Sequence, residues 1–269
     1  MGKIIVVTSG KGGVGKSTVA VNIAYGLAFD ARRVLLIDMD AGLRSLDLML
    51  GAENELVFDL ADVLDGICTA DQAVFELKRR PGLFLLPASQ NSGSAALSPQ
   101  DVRALLNTLR ESYDYIILDC PAGIERGFRN AVSCADTALL VITPDYISLR
   151  SAERTFQLLT GEGLSDIRLL INRIGARPPV STDECVHRLE LPVLGFIPED
   201  AAIMRSAAAG KAVMELPSPA GDAFERIVRR MLGESVRYRI PHSSLLHKLK
   251  THFGRESACK DSLDGLDDN

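Results

Sequence analysis

A chain of 269 residues with 46% hydrophobic and 24% charged side chains has ordinary globular composition and is long enough to bury a full core. Its net charge of −5 excludes binding to nucleic acid or membrane through overall basicity, so any such contact needs a local patch. The five cysteines, Cys68, Cys120, Cys134, Cys185 and Cys259, form no C-x-x-C pair, and their odd count fits reduced thiols better than a disulfide framework or a zinc site.

Taken in order, Met1-Gly2-Lys3 runs straight into the apolar Ile4 to Val7, so no secretory leader is expected. No apolar run approaches the ~20 residues a bilayer-spanning helix needs. Short continuous apolar runs predict strands at Lys3–Thr8, Val34–Asp38, Leu83–Pro87, Tyr115–Asp119, Ala138–Thr143, Arg168–Asn172 and Val193–Ile197. Runs that do not alternate indicate strands covered on both faces. Between them lie helix-like segments at Lys16–Phe29, Leu46–Leu50 with Leu56–Leu64, Pro99–Ser112, Ser148–Thr160, Thr182–Leu189 and Ala220–Leu232. Strand alternating with helix predicts an α/β fold with a doubly wound, mostly parallel sheet.

The pattern divides the chain into a single α/β domain over 1–234, a basic segment over 235–255 and an acidic tail over 256–269. Residues 236–255 carry Arg237, Arg239, Lys248, Lys250 and Arg255 and no acid, whereas Glu256, Asp261, Asp264, Asp267 and Asp268 follow against Lys260 alone. Such an end is expected to be loosely ordered.

The first strand leads into Gly10-Lys11-Gly12-Gly13-Val14-Gly15-Lys16-Ser17, followed by Thr18 and a helix. This matches G-x-x-x-x-G-K-[ST] in the strand–loop–helix context that phosphate binding requires. Glycines let backbone N–H groups converge on negative charge at a helix start. Lys16 is placed to reach the β- and γ-phosphates of ATP, and the Ser17 hydroxyl to ligate Mg²⁺. Lys11, a second lysine in the loop, reads equally as a solvated residue or as an ammonium aimed at phosphate in its own or a facing subunit.

Carboxylates stand beyond two further strands, where open α/β sheets bind ligands. Asp119 suits a metal-holding role, and Asp38 with Asp40 suits metal contact and orientation of the attacking water. Asn172-Arg173, ending a later strand, could read a base edge through the Asn amide.

These residues resemble the deviant Walker A ATPases, and within them the branch that determines the division septum site. The likeness covers residues 1–234. It rests on Val6 to Thr18, Ile37-Asp38-Met39-Asp40, Gly42-Leu43-Arg44, Leu46-Asp47-Leu48, Leu86-Pro87-Ala88-Ser89-Gln90, Asp119-Cys120-Pro121-Ala122-Gly123-Ile124-Glu125 and Gly195 to Asp200. Ser17 stands where threonine is commoner, and Ser45 where asparagine is usual. The resemblance implies ATP hydrolysis and an ATP-dependent homodimer joined through the nucleotide faces. Lys11 would cross to the partner's phosphates, Asp40 would position the water, and Asn172 with the Pro198-Glu199-Asp200 loop would hold adenine. It also implies recruitment of a MinC-like division inhibitor, and a stimulating or topological factor, either MinE-like or a polar scaffold. A flagellar-number regulator of the FlhG type would share this engine, but the Gly42-Leu43-Arg44 block disfavours it. A ParA-like DNA-segregation ATPase is disfavoured by the acidic balance and the lack of a basic cluster before residue 237, so no specific nucleic acid is expected.

Family members end in a membrane-targeting amphipathic helix. On a helical projection of residues 243–254 with Leu245 at zero, Leu246, Leu249 and Phe253 fall near ~100°, ~40° and ~80° and share one face. Lys250 flanks that face, and Lys248 lies on the other side. A basic helix of this kind suits an anionic membrane interface. The expected localisation is cytoplasmic, and peripheral on the inner membrane when ATP is bound.

Overall fold

The computed structural model describes residues 1–40, 44–89, 98–121, 129 and 131–241. The C-terminal amphipathic helix expected with Leu245, Leu246, Lys248, Leu249, Lys250 and Phe253 falls outside these residues. So do the acidic tail, Gly42-Leu43, Gln90 and Ala122 to Glu125.

Eight strands form one sheet: β1 (Lys3–Thr8), β2 (Val34–Asp38), β3 (Phe75–Glu76), β4 (Leu83–Leu86), β5 (Tyr115–Asp119), β6 (Thr137–Ile142), β7 (Ile167–Ile174) and β8 (Val193–Pro198). Their order is β3-β4-β2-β5-β1-β6-β7-β8, parallel throughout except for the short edge strand β3. The doubly wound expectation is met. Alternate residues feed two cores: Ile4 and Val6 of β1 pack into one, Ile5 and Val7 into the other. Burial on both faces is why these strands read as continuous apolar runs.

Helices cover the two faces: α1 (Lys16–Phe29), α2 (Leu46–Leu50), α3 (Leu60–Leu64), α4 (Ala70–Ala73), α5 (Pro99–Leu109), α6 (Tyr146–Gly161), α7 (Thr182–Leu189), α8 (Ala201–Ala208) and α9 (Pro219–Met231), with a 3₁₀ turn at Val213–Glu215. Helix α1 is apolar nearly all round and buried from Val19 to Ala28, as expected of a helix enclosed by sheet and neighbouring helices.

Two expectations need correction. The helix expected over Leu56–Leu64 begins only at Leu60. Asp59 caps it, taking the N–H groups of Ala61 and Asp62 while Asp62 accepts from the Asp59 N–H. Helices α4 and α8 and strand β3 were not expected; they are short, and half of the eight residues of α8 are alanine, with Asp200 starting it by accepting from the Ala202 N–H at 2.8 Å.

Candidate nucleotide site

Strand β1 lies between β5 and β6, and the chain crosses from one side of it to the other after β5. A crevice at such a crossover is where open α/β sheets bind ligands. The loop 9–15 connects β1 to α1 there. Gly15 sits at φ 95°, ψ 32°, a left-handed conformation glycine adopts without penalty, and a Cβ on it would stand 2.5 Å from the Asn172 amide nitrogen. Gly10 meets α6 so closely that a Cβ would lie 2.3 Å from the Ser151 carbonyl oxygen.

Asn172, at the end of β7 and buried, braces this loop. Its Nδ2 donates to the Val14 carbonyl at 2.7 Å, and its Oδ1 accepts from the Arg173 N–H at 2.9 Å. The residue expected at adenine is thus engaged with the phosphate-loop backbone. Arg173 beside it is exposed, with φ 54°. Pro198 ends β8, and the Glu199 N–H donates to the Ile174 carbonyl at 3.0 Å, tying that loop to β7. Asp200 is occupied as a double cap, receiving the Ala202 N–H on Oδ1 and the Ala220 N–H on Oδ2 at 3.1 Å.

Lys16, Asp38 and Asp119 are buried together. Asp38 and Asp119 are register partners at the ends of β2 and β5, with 0% and 1% exposure. Burial pushes the Asp119 carboxyl up to about 7, against the opposing effects of a hydrogen bond from Ser17 and the nearby Lys16 charge; Asp38 and Asp40 raise it further. Burial likewise lifts Asp38 to about 6, despite hydrogen bonds from the backbone of Asp40 and Leu46. Asp38 Oδ1 accepts the Asp40 N–H at 2.9 Å, which places Asp40 at the lip of the same pocket. Asp38 Oδ2, Asp119 Oδ1 and Thr8 Oγ1 are buried without a hydrogen-bond partner. Unpartnered buried oxygens of this kind are costly. A small hard cation that takes few carboxylates and keeps its waters would satisfy them. The residues therefore fit Mg²⁺.

On the other side of the loop a cleft of about 310 Å³ is lined by Lys11, Gly12, Gly13 and Val14, by Asp145 after β6, and by Arg173 and Glu199, among others. The Lys11 ammonium lies 3.2 Å from both carboxylate oxygens of Asp145. Desolvation raises the Asp145 carboxyl, but hydrogen bonds from Thr143 Oγ1, the Ser148 N–H and Lys11 outweigh it and hold it below the ordinary range. Asp145 also caps α6 through the Ser148 N–H at 2.9 Å. Sequence reasoning missed Asp145. The available signal was a carboxylate just beyond a strand, followed by Ser148 at the start of a helical period. Arg44, quoted above only as part of a motif, pairs through Nε with the buried Asp47 at 2.7 Å, and the Asp47 charge adds to the rise of the Asp38 carboxyl.

A strand-ended phosphate loop, a lysine and hydroxyl at the helix start, and two buried aspartates on neighbouring strands define a P-loop ATPase of the deviant Walker A class. A profile of the family described as AAA domain matches residues 2–161. The septum site-determining protein MinD of Synechocystis sp. is 41% identical over 262 residues, covering 93% of this chain and 98% of that one. The chain belongs to the MinD family. Among solved structures, the MinC:MinD cell division protein complex of Aquifex aeolicus matches with a TM-score of 0.82 and 37% identity, covering 88% of this chain and 98% of that one. MinD of Pyrococcus horikoshii, complexed with Mg-ADP, matches with a TM-score of 0.80 and 27% identity, over 86% of this chain and 96% of that one.

Proposed function

We propose that this chain is an ATP-driven switch that places the division septum by moving a MinC-like inhibitor onto the membrane. The observation that carries this is the pair of buried aspartates with unpartnered oxygens beside Lys16, with the second lysine, Lys11, across the loop at the mouth of the cleft. The loop N–H groups and Lys16 bind and orient the phosphates. Ser17 Oγ, Asp38 and Asp119 would hold Mg²⁺, which when bound neutralises charge on the phosphate oxygens. Asp40, at the lip, orients the water whose oxygen attacks the γ-phosphorus as the bond to ADP breaks. The buried walls of the pocket exclude competing water.

Dimerisation follows from Lys11. Its tie to Asp145 is partly solvated and weak, so a facing subunit's phosphates can compete for the ammonium. The Aquifex aeolicus relative solved with MinC supports a MinC-like partner. A MinE-like or polar factor would stimulate hydrolysis.

Membrane residence rests on residues 243–255. Each buried Leu or Phe contributes ~1.5–3 kcal/mol at most and each near-surface cation about 1. Helix nucleation and immobilisation oppose this, so one tail binds marginally. Two tails on one dimer gain ~10²-fold or more through effective concentration. ATP would therefore switch membrane binding on, and hydrolysis would switch it off.

The test is sedimentation with anionic vesicles. ATP, and not ADP, should bring the protein down, and deletion of 243–255 should abolish this while Mg-ADP binding persists. Full sedimentation of the truncated chain, or of the nucleotide-free protein, would overturn the coupling. A candidate MinC should co-sediment only with ATP.

A further inference from the structure

The phosphate loop has a backbone shape that needs support from outside it. Positive φ at Gly13 (75°) and Gly15 (95°), with Val14 between them, turns successive N–H groups into one concavity. A Cβ on Gly13 would meet nothing within 4 Å, so the left-handed backbone, not crowding, demands the glycine. N–H dipoles gathered in this way repel one another until an anion joins them. Carbonyl oxygens free to turn inward would relieve that repulsion and close the site.

Three buried side chains keep carbonyls from doing so. Ser9, 0% exposed and directly after β1, donates its hydroxyl to the Lys11 carbonyl at 2.8 Å. Asn172 donates to the Val14 carbonyl at 2.7 Å. These two oxygens bracket Gly12 and Gly13, and a carbonyl bonded to a buried donor cannot also face the phosphates. At the helix end, Asn22 Nδ2 donates to the Thr18 carbonyl at 2.8 Å, while its Oδ1 accepts the Val213 N–H at 2.8 Å. That fixes the first turn of α1 to the 3₁₀ turn before α9.

Asn172 and Asn22 join elements far apart in the chain, a task any packed core sets. Ser9 joins nothing distant. Its bond spans two residues, so its whole effect falls on the loop. We propose that Ser9 is a positioning residue for nucleotide binding: acting through the Lys11 carbonyl, its hydroxyl holds the phosphate loop in its anion-accepting shape before nucleotide arrives. Little of the binding free energy then goes into reshaping the loop. The same bond fixes the main chain from which the Lys11 side chain reaches Asp145. The proposal rests on the phosphate loop alone and not on the septum or membrane reading.

Binding kinetics separate this role from that of a hydrogen bond that only stabilises the fold. A loop formed part of the time binds more slowly, in proportion to the formed fraction, whereas nucleotide leaves the formed loop at its usual rate. The full chain carrying Ser9→Ala is mixed in stopped flow with fluorescent methylanthraniloyl-ADP and Mg²⁺. Association should slow roughly three- to tenfold, the worth of one hydrogen bond, and dissociation should change by less than about twofold. Inorganic tripolyphosphate with Mg²⁺, which has no base, should lose affinity by the same factor in calorimetric titration, because the effect lies at the phosphates. If Ser9→Ala does not fold, Ser9→Cys, whose thiol is a much weaker donor, gives the same readout. Unchanged association would leave the hydroxyl as a local turn contact and overturn the proposal. So would a loss carried by faster dissociation, which would place Ser9 in the bound contact, or a loss that tripolyphosphate does not share.

Discussion

Replacing Asp119 by Asn should make the ligand-free protein more stable at the cost of nucleotide binding. Asp119 is 1% exposed, and its Oδ1 has no hydrogen-bond partner. Burial holds its carboxyl at about 7 rather than the ordinary 3.8. The folded state therefore keeps a proton that the unfolded chain has lost through that window, so stability falls as pH rises from about 4 to 7. Above both values the penalty is about 4 kcal/mol. An asparagine amide carries no charge to desolvate. At ~2–4 °C per kcal/mol for a domain of this size, the melting temperature at pH 8 should rise by about 10 °C, and the gain should shrink towards pH 5. Differential scanning calorimetry from pH 5 to 8, with chelator and without nucleotide, measures it. In calorimetric titration the same variant should lose Mg-ADP binding. A folded variant that melts at or below the parent at pH 8 would refute the claim that this carboxylate is held at the expense of stability.

Asn172→Ala removes the bond to Val14 and leaves buried backbone groups unpaired, a cost of about 1–3 kcal/mol. Isothermal titration should show Mg-ADP affinity weakened roughly ten- to hundredfold, and an unchanged Kd would mean the brace is idle. Lys11→Ala should shift the melting temperature little, since a partly solvated pair contributes about 0–1 kcal/mol, yet abolish turnover; normal phosphate release would return Lys11 to a solvated loop residue. Asp145→Ala, which also strips the α6 cap, should destabilise the fold by about 1 kcal/mol more than Lys11→Ala in urea unfolding. Gly10→Ala should abolish Mg-ADP binding, because its Cβ would stand 2.3 Å from backbone on α6 that cannot yield cheaply; retained affinity would show that the helix moves.

Much of the site was legible because its parts are local in sequence. Lys16 and Ser17 follow the glycines at a spacing the phosphate loop dictates, and Asp38 and Asp119 close apolar runs that could only be buried strands. The limits of the seven expected strands agreed to within a residue or two for the same reason: burial on both faces leaves an unbroken apolar signature, which the two-residue edge strand β3 lacks. Helix α8 escaped notice because eight residues, half of them alanine, give only two turns of pattern, and the true start of α3 was set by Asp59 and Asp62.

Composition and local spacing thus sufficed for the fold class, the phosphate loop and the identity of the buried carboxylates. Strand order decided the rest. It brings Lys11 to Asp145 across 134 positions and Asn172 to Val14 across 158. It also makes Asp200 a cap shared by two helices. No local period encodes such contacts. They exist because β6 lies beside β1 and β7 beside β6 in the sheet, and only the packed sheet specifies which loops become neighbours.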